Sequence, residues 1–216
     1  FGIRIAAIEI DVASMSELLK GRSLAENDKL WEFVRLVVSD LANDPLVLDL
    51  DGDGIELLDV RGVAPSFDID GDGFAEPTGW VRPDDGFLAI DLNGDGAIND
   101  ITELFGAPGQ SGFAELQAFD VNADGIIDAA DTSAAAAHDV SDLRIWQDLN
   151  RNGRAEAGEL KTLAEAGIQS ISLAVTEAGT TAAGNTIART ATFTRTDGST
   201  STIADVEFQA NQFNTT

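Results

Sequence analysis

Five times in 216 residues the chain repeats the pattern D-x-[DN]-x-[DN]-G: DLDGDG from Asp49, DIDGDG from Asp68, DLNGDG from Asp91, DVNADG from Asp120 and DLNRNG from Asp148. The spacing has a physical reason. Side chains at loop positions 1, 3 and 5 converge on one hard cation, glycine at position 6 permits a sharp turn, and position 7 supplies a backbone carbonyl. The ligands so predicted are Asp49, Asp51, Asp53 and Ile55, then Asp68, Asp70, Asp72 and Phe74, then Asp91, Asn93, Asp95 and Ala97. Asp120, Asn122, Asp124 and Ile126 follow, and Asp148, Asn150, Asn152 and Arg154 complete the series. Oxygen-only sets at these offsets select calcium over zinc, and one histidine, His138, in a chain without cysteine cannot build a zinc site. A single acidic turn of this kind is as readily a solvated loop; the fivefold repetition argues for metal, with up to about five calcium ions.

The loops differ at position 12, where a calcium-binding helix-loop-helix places a chelating carboxylate. The loop from Asp148 has Glu159 there and the loop from Asp120 has Asp131, so these two are expected to form an EF-hand-like pair across about 115–165. In the loop from Asp91 the acid, Glu103, falls at position 13 and is expected to close a loop one residue longer. The first two loops carry Val60 and Gly79 at position 12, and their missing ligands are sought among Glu56, Asp59 and Glu76.

Composition bounds the partners. With 13 Lys+Arg against 38 Asp+Glu the formal charge is -25, a field that repels nucleic acid phosphates and anionic membrane surfaces and concentrates cations. Filling five divalent sites would bring that charge to about -15. Carboxylates held within a few ångströms of one another repel by several kcal/mol, on the order of 4 per pair near a protein surface, so calcium binding is expected to supply folding free energy. Without the metal the chain is expected to be expanded. Absence of cysteine rules out disulfides, and no apolar run is long enough for direct membrane insertion. Phe1 in the place of an initiating Met points to a piece of something longer.

Residues 1–44 carry five basic and eight acidic side chains, leaving eight basic against 30 acidic downstream. This divides the chain into an upstream segment, 1–43, and an acidic module, 44–216. In the first, DKLWEFVRLVVSDLA (28–42) has helical apolar spacing and IRIAAIEIDV (3–12) reads as a strand. In the second, IQSISLA (168–174) alternates as a strand, and residues 185–208 read as two strands turning at Asp197-Gly198. The Ala/Gly/Thr-rich stretch 178–185 reads as a loop. The expected fold is therefore α+β: EF-hand-like loops and short helices, with a small antiparallel hairpin or sheet over about 166–210. Trp80 and Trp146 are expected in the core.

The chain contains one Asp-Pro bond, Asp44-Pro45, between the expected helix and the first acidic loop. In the runs DPLVLDLDGDGIELL, FDIDGDG, GFLAIDLNGDGAINDITELFG, GFAELQAFDVNADGIIDAAD, LRIWQDLNRNG and GELKTLAEAGIQSISL, spanning about 44–208, the sequence resembles the self-processing module of repeat-in-toxin (RTX) proteins of the FrpC type. That resemblance implies a calcium-dependent module that breaks the Asp-Pro bond at its own N-terminal edge and can join the new aspartyl terminus to a lysine amine. It implies that Asp44 is the scissile residue and nucleophile, that Pro45 becomes the new N-terminus, and that the parent is secreted or displayed at the cell surface by type I export. The glycine-rich nonapeptide repeats of RTX proteins do not occur here.

The chemistry is sensible from the atoms. A carboxylate attacking its own residue's carbonyl closes a five-membered cyclic anhydride, with proximity built in. Proline blocks the competing succinimide route because its nitrogen has no hydrogen, and its tertiary amide twists more easily than a secondary one. Water then gives hydrolysis, and a lysine amine gives an isopeptide bond; the acceptor is internal (Lys20, Lys29 or Lys161) or on another molecule. Two rivals stay open on sequence alone: a non-catalytic calcium-dependent folding or spacer module of a secreted adhesin or toxin, and a calcium sensor that presents a groove to a peptide.

Overall fold

The computed structural model describes residues 2–5, 8–11, 43–62, 64–107, 110–133 and 137–210. It divides into two compact units, Phe1–Ala42 and Asn43–Thr216. In the first, IRIAAIEIDV forms not one strand but an antiparallel hairpin of β1 (Gly2–Ile5) and β2 (Ile8–Asp11). The expected helix at 28–42 lies outside the described residues.

The second unit is built mostly of strands: β3 (Leu46–Leu48), β4 (Leu57–Leu58), β5 (Ser66–Phe67), β6 (Glu76–Pro77), β7 (Trp80–Val81), β8 (Gly86–Ile90) and β9 (Ile126–Ile127). There follow β10 (Leu143–Trp146), β11 (Leu160–Thr162), β12 (Ile168–Ser172), β13 (Thr176–Ala182), β14 (Asn185–Arg195) and β15 (Thr200–Glu207). Among the described residues the α-helix is a single short one, α1 (Gly112–Leu116), capped by Ser111. Eight strands pair in the order β11-β10-β8-β3-β15-β14-β12-β9, with β13 added to β14, to give one antiparallel sheet; β4–β7 and β5–β6 form small ribbons.

This corrects the expected α+β, EF-hand-rich fold. The acidic loops are flanked chiefly by strands, and among the described residues none lies between two α-helices as an EF-hand requires. The loop from Asp120 leads into β9 and that from Asp148 joins β10 to β11, at opposite ends of the strand order, so the two do not make an EF-hand pair. The reason is tertiary. A short apolar segment next to an acidic loop has no preferred partner in sequence, and here most of them pair as strands, in the common sheet or in the two small ribbons.

Strand pairing also claims 178–185: most of it is β13, turning through Ala183 (φ 49°) and Gly184 (φ 83°) onto β14. The Asp197-Gly198 turn joins β14 to β15 as the sequence predicts, with Gly198 at φ 86° and the Arg195 N–H donating to Ser199 O at 2.8 Å.

Two apolar cores cover the two faces. Leu46 and Leu48 of β3 pack with Leu88, Ile145, Ile203, Phe193 and Phe113, whereas Val47 points the other way to Phe87, Trp80, Trp146 and Val206. The alternation follows from the period-2 geometry of a strand buried on both sides. Trp80 and Trp146 are fully buried, their ring centroids 5.5 Å apart within an aromatic cluster that includes Phe67, Phe87 and Phe208.

Candidate functional site

The five acidic loops are copies of one backbone design. Position 6 has positive φ in each (Gly54, Gly73, Gly96, Gly125 and Gly153), and so has position 4, including the non-glycines Ala123 and Arg151. These left-handed residues turn the backbone N–H groups inward. The N–H at position 6 donates to the carboxylate at position 1 in every loop: Gly54 to Asp49 at 3.2 Å, Gly73 to Asp68, Gly96 to Asp91 and Gly125 to Asp120 each at 2.9 Å, and Gly153 to Asp148 at 2.8 Å. Position 3 accepts at position 5 (Asp51, Asp70, Asn93 and Asn122) and position 5 accepts at position 7 (Asp72 from Phe74, Asp95 from Ala97, Asp124 from Ile126, Asn152 from Arg154). The structure gives Asn150 a different partner, Glu156. Oxygens of Asp49, Asp51 and Asp53 lie within 4.8 Å of one another, as do those of Asp68, Asp70, Asp72 and Glu76, a hard-donor arrangement that fits a divalent cation.

One further acid closes each loop, and its hydrogen bonds identify it. Glu103 accepts from the N–H groups of Leu92 (3.1 Å) and Asn99 (2.8 Å), Asp131 from Val121 and Asp128 (both 3.0 Å), and Glu159 from Leu149 (2.9 Å) and Glu156 (3.0 Å): positions 2 and 9 in each case. In the loop from Asp68, Glu76 takes the position 2 N–H of Ile69 at 3.3 Å. In the loop from Asp49, neither Glu56 nor Asp59 has this role. Glu56 faces Arg82 and Asp59 pairs with Arg61, whereas Asp85, 36 residues after Asp49, accepts from Leu50 (3.3 Å) and Glu56 (2.7 Å). Asp85 is buried and was not visible to a search of neighbouring residues; its one sequence signal is an acid immediately before the apolar strand GFLAI.

The Asp44-Pro45 peptide enters the central strand β3, with Asp44 itself 5% exposed. The Asp44 N–H donates to Gly106 O (3.2 Å), the Leu46 N–H to Phe105 O (2.9 Å), and the Val206 N–H to Pro45 O (3.1 Å). The Asn43 side-chain amide donates to Ile69 O, and Asp49 is gripped by Thr202 O and the Ser201 hydroxyl. The segment is thus tied to the Asp68 loop behind it, to the Asp91 loop through 104–106 beside it, and to the Asp49 loop ahead of it. Gly106, at φ 124°, lies so close that a Cβ there would stand 2.3 Å from Asp44 O and 2.8 Å from Pro45 N. Glu115 holds this strap by accepting from Gly106 and Ala107.

Burial, together with the negative Asp205 and Glu207, pushes the Asp44 carboxyl up to about 8 against the pull of Arg189. Arg189 Nη1 stands 3.8 Å from Asp44 Oδ2 and 3.3 Å from Asp205 Oδ2, while its Nε reaches Glu177 at 3.3 Å. Beside Arg189 opens a cavity of about 360 Å³ walled by Ser111, Phe113, Gln117, Leu173, Val175 and Glu177. His138 sits half-exposed near Asp142 and takes no part.

Comparison with known proteins agrees with this arrangement. Residues 46–209 match the SPM domain family. Over 178 residues the chain is 44% identical to the iron-regulated protein FrpA of Neisseria meningitidis serogroup C, a match covering 78% of this chain and 15% of that protein. The chain belongs to the SPM family, the self-processing modules of FrpC-like RTX proteins. It spans a small fraction of the length of the relative it matches.

Burial raises four acids in this region above their ordinary values: Asp44 to about 8, Glu76 and Asp85 to about 7, and Asp205 to about 6. The folded chain therefore binds more protons than the unfolded one, and stability from these groups is complete below about pH 4 and is lost as pH rises through about 6 to 8. In chelator, the β-sheet signal in circular dichroism is expected to grow on going from pH 8 to pH 5; a signal that stays flat or declines contradicts the burial of these acids.

Proposed function

We propose that this module is a calcium-dependent, single-turnover autoprotease that cleaves its own Asp44-Pro45 bond and passes the aspartyl group to water or to a lysine amine. The observation that carries the reading is the setting of Asp44: a buried carboxyl facing Arg189, at the mouth of a central strand tied to three acidic loops. A side chain held there needs only a short movement to reach its own carbonyl carbon, so most of the entropy of the reaction is met by folding.

The steps balance as follows. A carboxyl oxygen of Asp44 bonds to the Asp44 carbonyl carbon, the bond to Pro45 N breaks, and a proton from a carboxyl group ends on the prolyl nitrogen. The product is a cyclic anhydride, opened by water to two carboxylic acids or by an amine to an amide and one acid. Main-chain strapping by Gly106 fixes one side of the peptide, and the Val206 bond holds Pro45 O in place while the nitrogen leaves.

Calcium supplies the charge that lets the acidic loops close, through the five loop sets with Glu76, Asp85, Glu103, Asp131 and Glu159 as closing acids. Its influence on Asp44 is indirect, by ordering the segments to which residues 43–49 are bonded. For the acceptor, Lys161 donates to Gln147 at 2.6 Å on β11, three strands from β3, which favours a lysine on another protein; Lys20 and Lys29 lie outside the described residues. The activity suits an extracellular, calcium-rich compartment, as expected of a secreted RTX relative, and among the described residues no helix is long and apolar enough to cross a membrane.

The protein is to be purified in chelator and given millimolar calcium near pH 7. Electrophoresis and mass spectrometry are expected to find a cut after residue 44 and higher-mass adducts, both abolished by Asp44→Ala. An intact wild-type chain that nevertheless becomes ordered would identify a folding module instead. Asp85→Ala is expected to raise the calcium midpoint for cleavage by about tenfold, through loss of one ligand to the first loop; an unchanged midpoint removes Asp85 from it. Gly106→Ala is expected to displace the scissile peptide and slow cleavage by about 10²-fold while calcium-induced order persists; retention of the wild-type rate would mean that the strap has no role.

A further inference from the structure

The face of the sheet that carries Leu46, Leu48 and Ile203 is mostly apolar, and Asp205 is fully buried in it. Asp205 follows Ala204 in β15, pairs with Leu46 on one side and Arg189 on the other, and has no exposed surface. Its Oδ1 accepts from the Gly112 N–H at 3.2 Å and its Oδ2 from Arg189 Nη1 at 3.3 Å. Gly112 leaves the necessary room: a Cβ there would meet Asp205 Oδ1 at 2.9 Å and the Leu46 side chain at 2.7 Å. A buried acid so enclosed costs stability unless it has a task or a partner, and its partner is the same guanidinium nitrogen that faces Asp44.

We propose that Arg189 and Asp205 are positioning residues for the cleavage, with Asp44 and Asp205 sharing a single proton across the Arg189 guanidinium. This rests on the self-cleavage reading above. Three acids, Asp44, Asp205 and the half-buried Glu207, face one cation, so full ionisation would leave an uncompensated excess of negative charge in a largely buried site. Retaining one proton relieves it, and two acids that share a proton divide the labour of the reaction. The single proton rests mainly on Asp44, the weaker acid of the two, and in the minor form that carries it on Asp205 the Asp44 carboxylate is the free nucleophile. As its oxygen bonds to the carbonyl carbon and the bond to Pro45 breaks, the shared proton passes to the prolyl nitrogen, directly or through water.

The other ionisable groups around the pair are few: Glu177 on β13, held by Arg189 Nε, and Glu115 on α1, engaged with the Gly106 strap. Strands β3 and β8 contribute none within their spans. Burial and the surrounding charges put Asp44 at about 8 and Asp205 at about 6, so the one-proton state of the pair occupies the range between, and the two limits belong to the pair.

The test is the pH profile of calcium-triggered cleavage in the full chain. Wild type is expected to give a bell with its maximum near pH 7. Asp205→Asn is expected to lose the alkaline limb, move the acid limb downward and slow cleavage by about 10²-fold. Arg189→Gln is expected to move both limbs to higher pH, while Arg189→Lys keeps them in place. Equal slowing at every pH in both variants, or no slowing, overturns the proposal, because a purely structural role does not move the limbs in opposite directions. If either variant lacks the calcium-loaded dichroism spectrum, carbon-detected NMR titration of Asp44 and Asp205 in the Pro45→Ala chain decides: two linked steps support the shared proton, and independent titration near 4 rejects it. An uncut wild type would reject the cleavage reading itself, and the same titration would still settle whether the proton is shared.

Discussion

Hydrogen bonds along both edges of the three-residue strand Leu46–Leu48 fix the position of the peptide bond in front of it. Pairing with β8 on one side and β15 on the other leaves this strand no freedom to slide, because a shift of one residue would exchange Leu46 and Leu48 for Val47 between two packed cores. Asp44 and Pro45 are therefore carried to a defined depth, against Gly106 and opposite Val206. The acidic loops matter to the bond through this strand, since the Asp49 loop begins where β3 ends and the 104–106 segment leaves the Asp91 loop to bond with it.

The same arrangement explains how a group of acids can both govern folding and serve chemistry. In four of the five loops one carboxylate gathers N–H groups from the loop's beginning and end, which draws negative side chains into a small volume. That geometry is self-opposing until positive charge enters. Around Asp44 the crowded negative charge meets one guanidinium, Arg189, and burial that favours the protonated carboxyl. In the proposed reading, metal and proton play the same electrostatic part at neighbouring places, and a buried acid such as Asp205 gains a reason to exist in a mostly apolar face.

Much of the candidate site was legible in the sequence because the loop design is local. Positions 1, 3, 5 and 6 are fixed by residues adjacent along the chain, and so were Asp131, Glu159 and Glu103. The Asp-Pro bond stood out because it is unique and borders the acidic part. Asp85, Arg189, Asp205 and Gly106 were not legible. Each is brought to its place by a strand or strap from a distant part of the chain, and nothing in the spacing announces the meeting; for Asp205, the only trace was an acid set in the alternating run TIADVEF.

The sequence by itself determined the five turns, the residues that line them, the Asp197-Gly198 hairpin and the bond available for cleavage, since all of these depend on neighbours within about a dozen positions. Only the tertiary structure decided that the loops are set chiefly between strands of one large antiparallel sheet and two small ribbons instead of helix pairs, that 178–185 joins that sheet, and which acids and which cation surround Asp44. Strand pairing is satisfied by any edge with matching burial, so partners far apart in sequence are chosen by the packing of the whole, a choice no short stretch can record.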